Sequence, residues 1–150
     1  MDWNRDKSVK LSRFCVALFM AILAATCLFA PQLCRLLIRL RGWDAQPKLP
    51  LFLASIYLSA VPAAAVLWAL WRLLRNIGAG AVFIAENTAL LRLISWCCIA
   101  AGLVYLASAL YYMPFLVLSA AAAFVGLMLR VVKNAFAEAV AIKQENDYTI

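Results

Sequence analysis

The chain has 150 residues, of which 67% are hydrophobic and 14% are charged, and its formal net charge is +7. In soluble domains about a quarter of all residues are charged. A chain of this length cannot bury so many apolar residues in a water-soluble core, so a lipid bilayer is the expected solvent. The basic residues lie at the ends of apolar runs rather than along one face, which is typical of membrane proteins and argues against direct nucleic-acid binding.

Two apolar runs in the first half of the chain are each long enough to cross a bilayer. The first is uncharged from Phe14 to Cys34, 21 residues, and no convincing cleavage site follows it, so it is predicted to be a span rather than a signal peptide. The second is uncharged from Leu49 to Trp71, 23 residues. We therefore predict spans at about 14–34 and 49–71, joined by a loop that contains glycine and proline.

Pro31 and Pro62 lie well inside these runs. Pro31 is expected to kink or end the first helix, because proline removes a backbone donor and clashes with the preceding turn. Pro62 lies near the middle of the second run. A kink there is tolerable in a membrane if Ser59 or a neighbouring helix satisfies the carbonyl that Pro62 frees.

The second half of the chain contains 37 consecutive uncharged residues, Leu93 to Leu129. As one helix this run would be roughly 55 Å long, which greatly exceeds a hydrocarbon core of about 30 Å. We therefore predict two spans, at about 93–112 and 114–132, with a break at the motif YYMPF. Tyrosines suit the membrane interface, and proline suits the start of a helix.

The C-terminal stretch continues as an amphipathic helical tail at 133–146, because apolar residues recur there at intervals of three and four. The chain is thus predicted to be all-α: a single-domain integral membrane four-helix bundle whose last helix extends into the cytoplasm. Four spans place ten basic residues on the side of the two termini and four on the other side. This imbalance favours cytoplasmic termini.

The sequence offers little for catalysis or metal binding. It contains no His, and its five Cys lie in or beside apolar runs without CxxC spacing. None of its seven acidic residues lies in the middle of a span. Nucleophile, zinc and phosphate-loop motifs are absent from the sequence. We therefore expect no enzymatic activity, no catalytic residue, no metal and no cofactor.

A polar stretch, FIAENTALLR at 83–92, immediately precedes the third span. One interpretation is a helix start, in which Asn87 or Thr88 caps the helix and Glu86 suits the positive end of its dipole. The other is an exposed surface that a protein partner or a lipid headgroup contacts. Three basic residues are candidates for an ion pair with Glu86 across the bundle: Arg72, Arg75 and Arg130.

Small residues on the fourth span occur at the spacing that lets membrane helices approach closely. They are Ser119, Ala122, Ala123 and Gly126. We expect them to pack the fourth span against the third within one chain. Homo-oligomerisation through the same residues is the alternative.

Three stretches carry a resemblance to a known family: WNRDKSVKLSRFCV at Trp3–Val16, FIAENTALLRLISWCC at Phe83–Cys98, and AFVGLMLRVVKNAFAEAVAIKQENDYTI at Ala123–Ile150. In these stretches the chain resembles the bacterial membrane family catalogued as domain of unknown function 2975. The resemblance implies a small four-span protein of the bacterial inner membrane with no established activity. It also implies a gene that commonly lies beside one for a small Cro-type helix-turn-helix regulator.

The resemblance suggests a membrane-held regulatory partner or sensor for such a regulator. The candidate docking face combines the polar stretch and the tail: Phe83, Glu86, Asn87, Arg92, Lys143, Glu145, Asn146 and Asp147. One alternative is a lipid or small hydrophobic ligand binder or transport accessory, whose cleft would be lined by Pro62 and by Trp68, Trp71, Trp96 and Tyr105. Another alternative is a structural subunit of a membrane complex.

Overall fold

The computed structural model describes the backbone of residues 3–42 and 45–148 and the side chains of residues 7–42 and 48–146. These residues form four helices: α1 (Trp3–Leu40), α2 (Ala45–Gly78), α3 (Ala85–Ser108) and α4 (Phe115–Tyr148). No described residue lies in a strand. The predicted all-α, four-helix class is confirmed.

Each helix contains a stretch that is long and apolar enough to cross a membrane. Large apolar side chains also point away from the protein along the whole bundle. Leu28, Val61, Leu110 and Val117 are each more than 70% exposed. Contiguous apolar surface of this extent is rare on soluble monomers. In a bilayer it contacts lipid tails instead of water. The chain is therefore a multi-pass membrane protein in contact with the bilayer.

The helices pack in chain order, α1 on α2, α2 on α3 and α3 on α4. Their alternating directions place the start of α1, the end of α4 and the α2–α3 loop at one end of the bundle, the N/C end. The α1–α2 and α3–α4 connections lie at the opposite end, the far end. There, the Arg41 guanidinium donates to the Tyr112 hydroxyl over 3.3 Å and so links the two connections.

Glycines end the first two helices. Gly42 follows α1 with φ +63, and Gly80 follows α2 with φ +80, a backbone region that residues with a side chain rarely adopt. After α2, the Gly80 N–H donates to the carbonyl of Ile77, and the Ala81 N–H donates to that of Asn76. These two bonds form a Schellman motif, which satisfies the last carbonyls of the helix and turns the chain sharply.

Neither Pro31 nor Pro62 ends its helix. Pro31 lies within α1, and the Cys27 carbonyl, which would otherwise receive the N–H that proline lacks, accepts a hydrogen bond of 3.1 Å from the Tyr57 hydroxyl of α2. A neighbouring helix therefore compensates for Pro31. At Pro62, one of the two expected compensations is wrong. The Ser59 hydroxyl donates to the Ile56 carbonyl rather than to the carbonyl four residues before Pro62.

Helices α3 and α4 approach closely through two serine–glycine pairs. The Ser95 hydroxyl of α3 donates to the Gly126 carbonyl of α4 over 2.7 Å. The Ser119 hydroxyl of α4 donates in turn to the Gly102 carbonyl of α3 over 2.8 Å. A Cβ at Gly102 would also meet Ala122 and the backbone of Ala123 within 4 Å. The small residues singled out on the fourth span thus lie at a contact within the chain.

The far end is closed by an aromatic and polar cluster. The Phe52 ring lies 5.2 Å from that of Tyr111 and 5.9 Å from that of Phe115, centroid to centroid. The Ser55 hydroxyl contacts the hydroxyls of Ser108 and Tyr111. The Tyr111 hydroxyl also donates to the Leu51 carbonyl over 3.0 Å. This cluster fixes α2 against the α3–α4 connection.

Candidate functional site

Asn87 is the most fully buried polar side chain of the bundle, with an exposed fraction of 0%. Its Nδ2 donates to the carbonyls of Ala81 and Val82, over 2.8 and 2.7 Å. Its Oδ1 accepts from Nδ2 of Asn76, on α2, over 2.9 Å. Asn87 therefore ties the start of α3 to the end of α2 and to the loop between them.

These bonds correct two expectations about Asn87. Residue Ile84, with extended backbone angles, occupies the N-cap position of α3, and no side chain caps the helix. The Asn87 amide instead serves the loop, and the buried Thr88 hydroxyl has no hydrogen-bond partner among the described residues. Because its polar atoms are used internally, Asn87 is also inaccessible to a docking partner. It supports the surface around it rather than forming part of it.

Glu86 lies in the first turn of α3, where its charge suits the helix dipole. Its Oε1 lies 2.6 Å from Nε of Arg72, near the end of α2, which is one of the three ion-pair partners considered from the sequence. The Nε–H does not point along this contact, so the pair is electrostatic rather than an aligned hydrogen bond. Both side chains are about two-fifths exposed, 42% for Arg72 and 41% for Glu86, so Glu86 remains open to a partner.

The α2–α3 loop packs against the extension of α4. The ring of Phe83 lies 5.7 Å from that of Phe136, and Val140, one turn further along α4, is buried. The apolar stripe of the tail is therefore used within the chain. Beyond it, every described side chain of residues 141–146 is exposed. The helix thus projects from a fixed base.

The structure divides the predicted docking face. It places Phe83 against the base of the α4 projection and Glu86 three residues later, in the first turn of α3. It places Lys143, Glu145 and Asn146 on the exposed part of that projection. Asn87 lies beneath this surface. The Asp147 side chain falls outside the described residues.

Arg92 does not join this group. It lies two turns into α3 and lines a cavity of about 220 Å³ between α3 and α4. The lining consists of Arg92, Ser95, Trp96, Arg130, Lys133 and Asn134. Sequence reasoning missed this pocket, although Arg92 and Arg130 directly flank the same uncharged run and an antiparallel hairpin must bring its two flanks together.

Tryptophan and arginine pair at one level around the N/C end. The guanidinium carbon of Arg13 lies 5.0 Å from the centre of the Trp71 ring. Two further pairs have the same form: Arg72 over Trp68 at 5.5 Å and Arg130 over Trp96 at 4.8 Å. Such cation–π pairs suit an interface where the ring lies in apolar surroundings and the charge meets water. We call this ring of pairs the Trp–Arg belt.

An apolar cleft opens in the middle of the bundle, where the Cα atoms of α1 and α4 do not approach within 8 Å. It has a volume of about 400 Å³ and is lined by residues of all four helices, including Phe19, Pro62, Cys98 and Ala122. Of the residues expected to line a ligand cleft, Pro62 does so here, and Tyr105 lines a neighbouring cavity. Trp68, Trp71 and Trp96 belong to the belt instead.

Among the described residues, no group of His, Cys, Asp and Glu is arranged to hold a metal ion, and all five cysteines are free. No curated protein and no solved structure matches the chain. A family profile described as "Protein of unknown function (DUF2975)" matches residues 14–150. The match covers most of the chain, so this membrane protein belongs to the DUF2975 family, whose function is unknown.

Proposed function

We propose that this protein is a non-enzymatic, membrane-held regulatory partner of a small cytoplasmic helix-turn-helix regulator. The observation that carries the proposal is the projection of α4 beyond the Trp–Arg belt. From Arg130 to Tyr148 the helix rises about 27 Å, and its base is held by the Phe83–Phe136 contact. A braced helix with an exposed polar end suits recognition by a soluble protein.

The distribution of charge supports a cytoplasmic N/C end in the bacterial inner membrane. Ten of the 14 basic residues belong to the segments at that end, and four belong to the far end. Positively charged segments remain on the cytoplasmic side during membrane insertion. The projection is then on the side where a DNA-binding partner is found.

The docking surface in this proposal has two parts, which are the first turn of α3 with Glu86 and the exposed end of α4 with Lys143, Glu145 and Asn146. Their side chains are exposed, and both signs of charge are present. Mixed charge favours selective pairing, because a wrong partner brings like charges together. The partner class comes from the gene neighbourhood that the family resemblance implies.

Co-purification tests the proposal. The full chain, solubilised in mild detergent after co-expression with the adjacent regulator, should retain that regulator. Exchanging the two charges, Lys143→Glu with Glu145→Lys, should reduce the retained regulator at least tenfold while the amount of membrane protein is unchanged. Charge reversal at the far end, Arg35→Glu with Lys48→Glu, alters the net charge more than this exchange does and should leave the retained regulator unchanged, so it is the control for charge alone. Equal retention by all three proteins would refute docking on α4.

The apolar cleft favours a second function, the binding of a small hydrophobic ligand. Its lining is almost wholly apolar, and it lies between helices whose backbones are separated, so a ligand can enter from the lipid. Ala122→Phe would place a large ring in the cleft. If the cleft holds a ligand, a lipid-like molecule that co-purifies with the wild-type chain should be absent from this variant, and its retention at wild-type level would exclude the cleft.

A further inference from the structure

The basic pocket between α3 and α4 is formed by the register of the hairpin. The Ser95–Gly126 and Ser119–Gly102 bonds fix this antiparallel register. The same register places Arg92 opposite residues 129 and 130. The two charges that end the uncharged run are therefore neighbours in space, at the mouth of one cavity.

No described residue neutralises the positive charge in this pocket. Three of its six lining residues, Arg92, Arg130 and Lys133, are cationic, and none is acidic. No described carboxylate forms an ion pair with any of these three, in contrast to Arg72, which pairs with Glu86. Clustered like charges repel one another. The pocket is therefore arranged for an anion from outside the chain.

The position of the pocket selects the source of that anion. Arg130 belongs to the Trp–Arg belt, which lies at the boundary between the uncharged run and the polar end of the bundle. Lipid phosphates lie at this level of a bilayer. On the same two helices, Leu93 and Leu127 are exposed and offer apolar surface to lipid tails. Basic pockets between membrane helices suit anionic headgroups.

From this geometry we infer that Arg92, Arg130 and Lys133 form a binding site for the phosphate headgroup of an anionic phospholipid. Arginine contacts phosphate through paired N–H groups, while lysine contributes a point charge. Stacking on Trp96 at 4.8 Å holds the Arg130 guanidinium at the pocket wall. The inference concerns the bilayer and is independent of the regulatory partner.

Native mass spectrometry of the full chain in detergent tests the site. Phosphatidylglycerol and phosphatidylcholine are each titrated against the wild-type chain and two double variants. Arg92→Gln with Lys133→Gln alters the pocket and leaves the Arg130–Trp96 pair in place. Lys10→Gln with Arg75→Gln removes the same net charge from exposed positions at the same end. Only the first variant should lose phosphatidylglycerol binding.

We expect the loss of affinity to be roughly thirtyfold, since each basic residue beside an anionic headgroup contributes about a factor of five. Phosphatidylcholine should bind weakly to all three proteins. Equal losses in both variants would show general charge attraction and overturn the site. Binding of inorganic phosphate to the chain in lipid-free micelles, at the affinity found for the lipid, would overturn the lipid as the source of the anion.

A measurement on the wild-type chain alone tests the site without relying on the folding of any variant. Phosphatidylglycerol carrying a photoreactive group on its glycerol should form adducts on the α3 and α4 segments around Trp96 and Asn134. Adducts confined to other parts of the chain, or spread evenly around the belt, would contradict the proposed site.

Discussion

Asn76 donates a hydrogen bond from Nδ2 to Oδ1 of Asn87 over 2.9 Å, and this bond orients the Asn87 amide. Both N–H groups of Asn87 then face the loop, where the carbonyls of Ala81 and Val82 accept them. The side chain thus needs an acceptor on one side and two donors on the other. Of the common side chains, only an amide supplies this combination at this length.

The first prediction concerns replacement of Asn87. A helix cap would tolerate Asn87→Ser or Asn87→Asp, but the observed role excludes both. Serine is too short to reach two loop carbonyls, and aspartate would bring a buried carboxylate against them. We expect Asn87→Ser to lower the free energy of unfolding by about 2 kcal/mol and Asn87→Asp to lower it further. Thermal unfolding in detergent measures this, with Asn146→Ser as the exposed control. An unchanged melting temperature for Asn87→Ser would contradict the assignment.

The second prediction concerns the bond that compensates for Pro31. Tyr57→Phe removes the donor to the Cys27 carbonyl and should cost about 1 kcal/mol, the scale of hydrogen bonds between membrane helices. In a Pro31→Ala background the new backbone N–H can donate to that carbonyl, so Tyr57→Phe should cost close to nothing.

A double-mutant cycle on unfolding in micelles separates this explanation from simple packing. If the Tyr57 ring contributes only through packing, its replacement costs the same in both backgrounds. A coupling energy near zero would therefore reject the compensation of Pro31 by α2.

The third prediction compares two glycines at the α3–α4 contact. A Cβ at Gly126 would lie 3.0 Å from Cγ1 of Ile99 and 3.2 Å from the Ser95 carbonyl, so these neighbours must move by a few tenths of an ångström. At Gly102 the nearest atom, the Ser119 carbonyl, would be 3.4 Å away, which is an ordinary contact. We expect Gly126→Ala to cost about 1–2 kcal/mol and Gly102→Ala to be nearly neutral. Comparable melting temperatures for the two variants would show that α3 and α4 pack less tightly at Gly126 than the structure indicates.

The number and type of the helices are predictable from the sequence, because the bilayer sets the length of a span and local composition marks its ends. The 37 uncharged residues from Leu93 to Leu129 exceed one span, and Tyr111 and Pro114 mark the break. Each inference needs only neighbouring residues. The structure contains the break in that region, with α3 ending at Ser108 and α4 beginning at Phe115.

The role of Asn87 was not predictable in this way. Its partners are the Asn76 side chain and two loop carbonyls, and their positions depend on the turn that follows Gly80. Local pattern therefore favoured a cap. The pocket at Arg92 and Arg130 was predictable from the sequence. Tyr111 lies midway between these two residues, so a hairpin that turns there must bring them together.

The last prediction concerns Glu86, an exposed acidic residue in the first turn of α3. Its ion pair with Arg72 is about two-fifths exposed, so it should contribute less than about 1 kcal/mol to stability. We expect Glu86→Gln to leave the melting temperature nearly unchanged and, in the proposed function, to weaken control of the adjacent regulator in a reporter assay.

Arg72→Gln is the matched control, because it breaks the same ion pair and leaves the Glu86 carboxylate in place. If the carboxylate itself is recognised, only Glu86→Gln should alter the reporter. If the ion pair only positions the start of α3, both variants should alter it equally. Wild-type output from both variants, at normal membrane levels, would remove Glu86 from the docking surface. Recognition by this chain would then rest on the exposed end of α4 alone, where Lys143 and Glu145 provide the separate charge-exchange test.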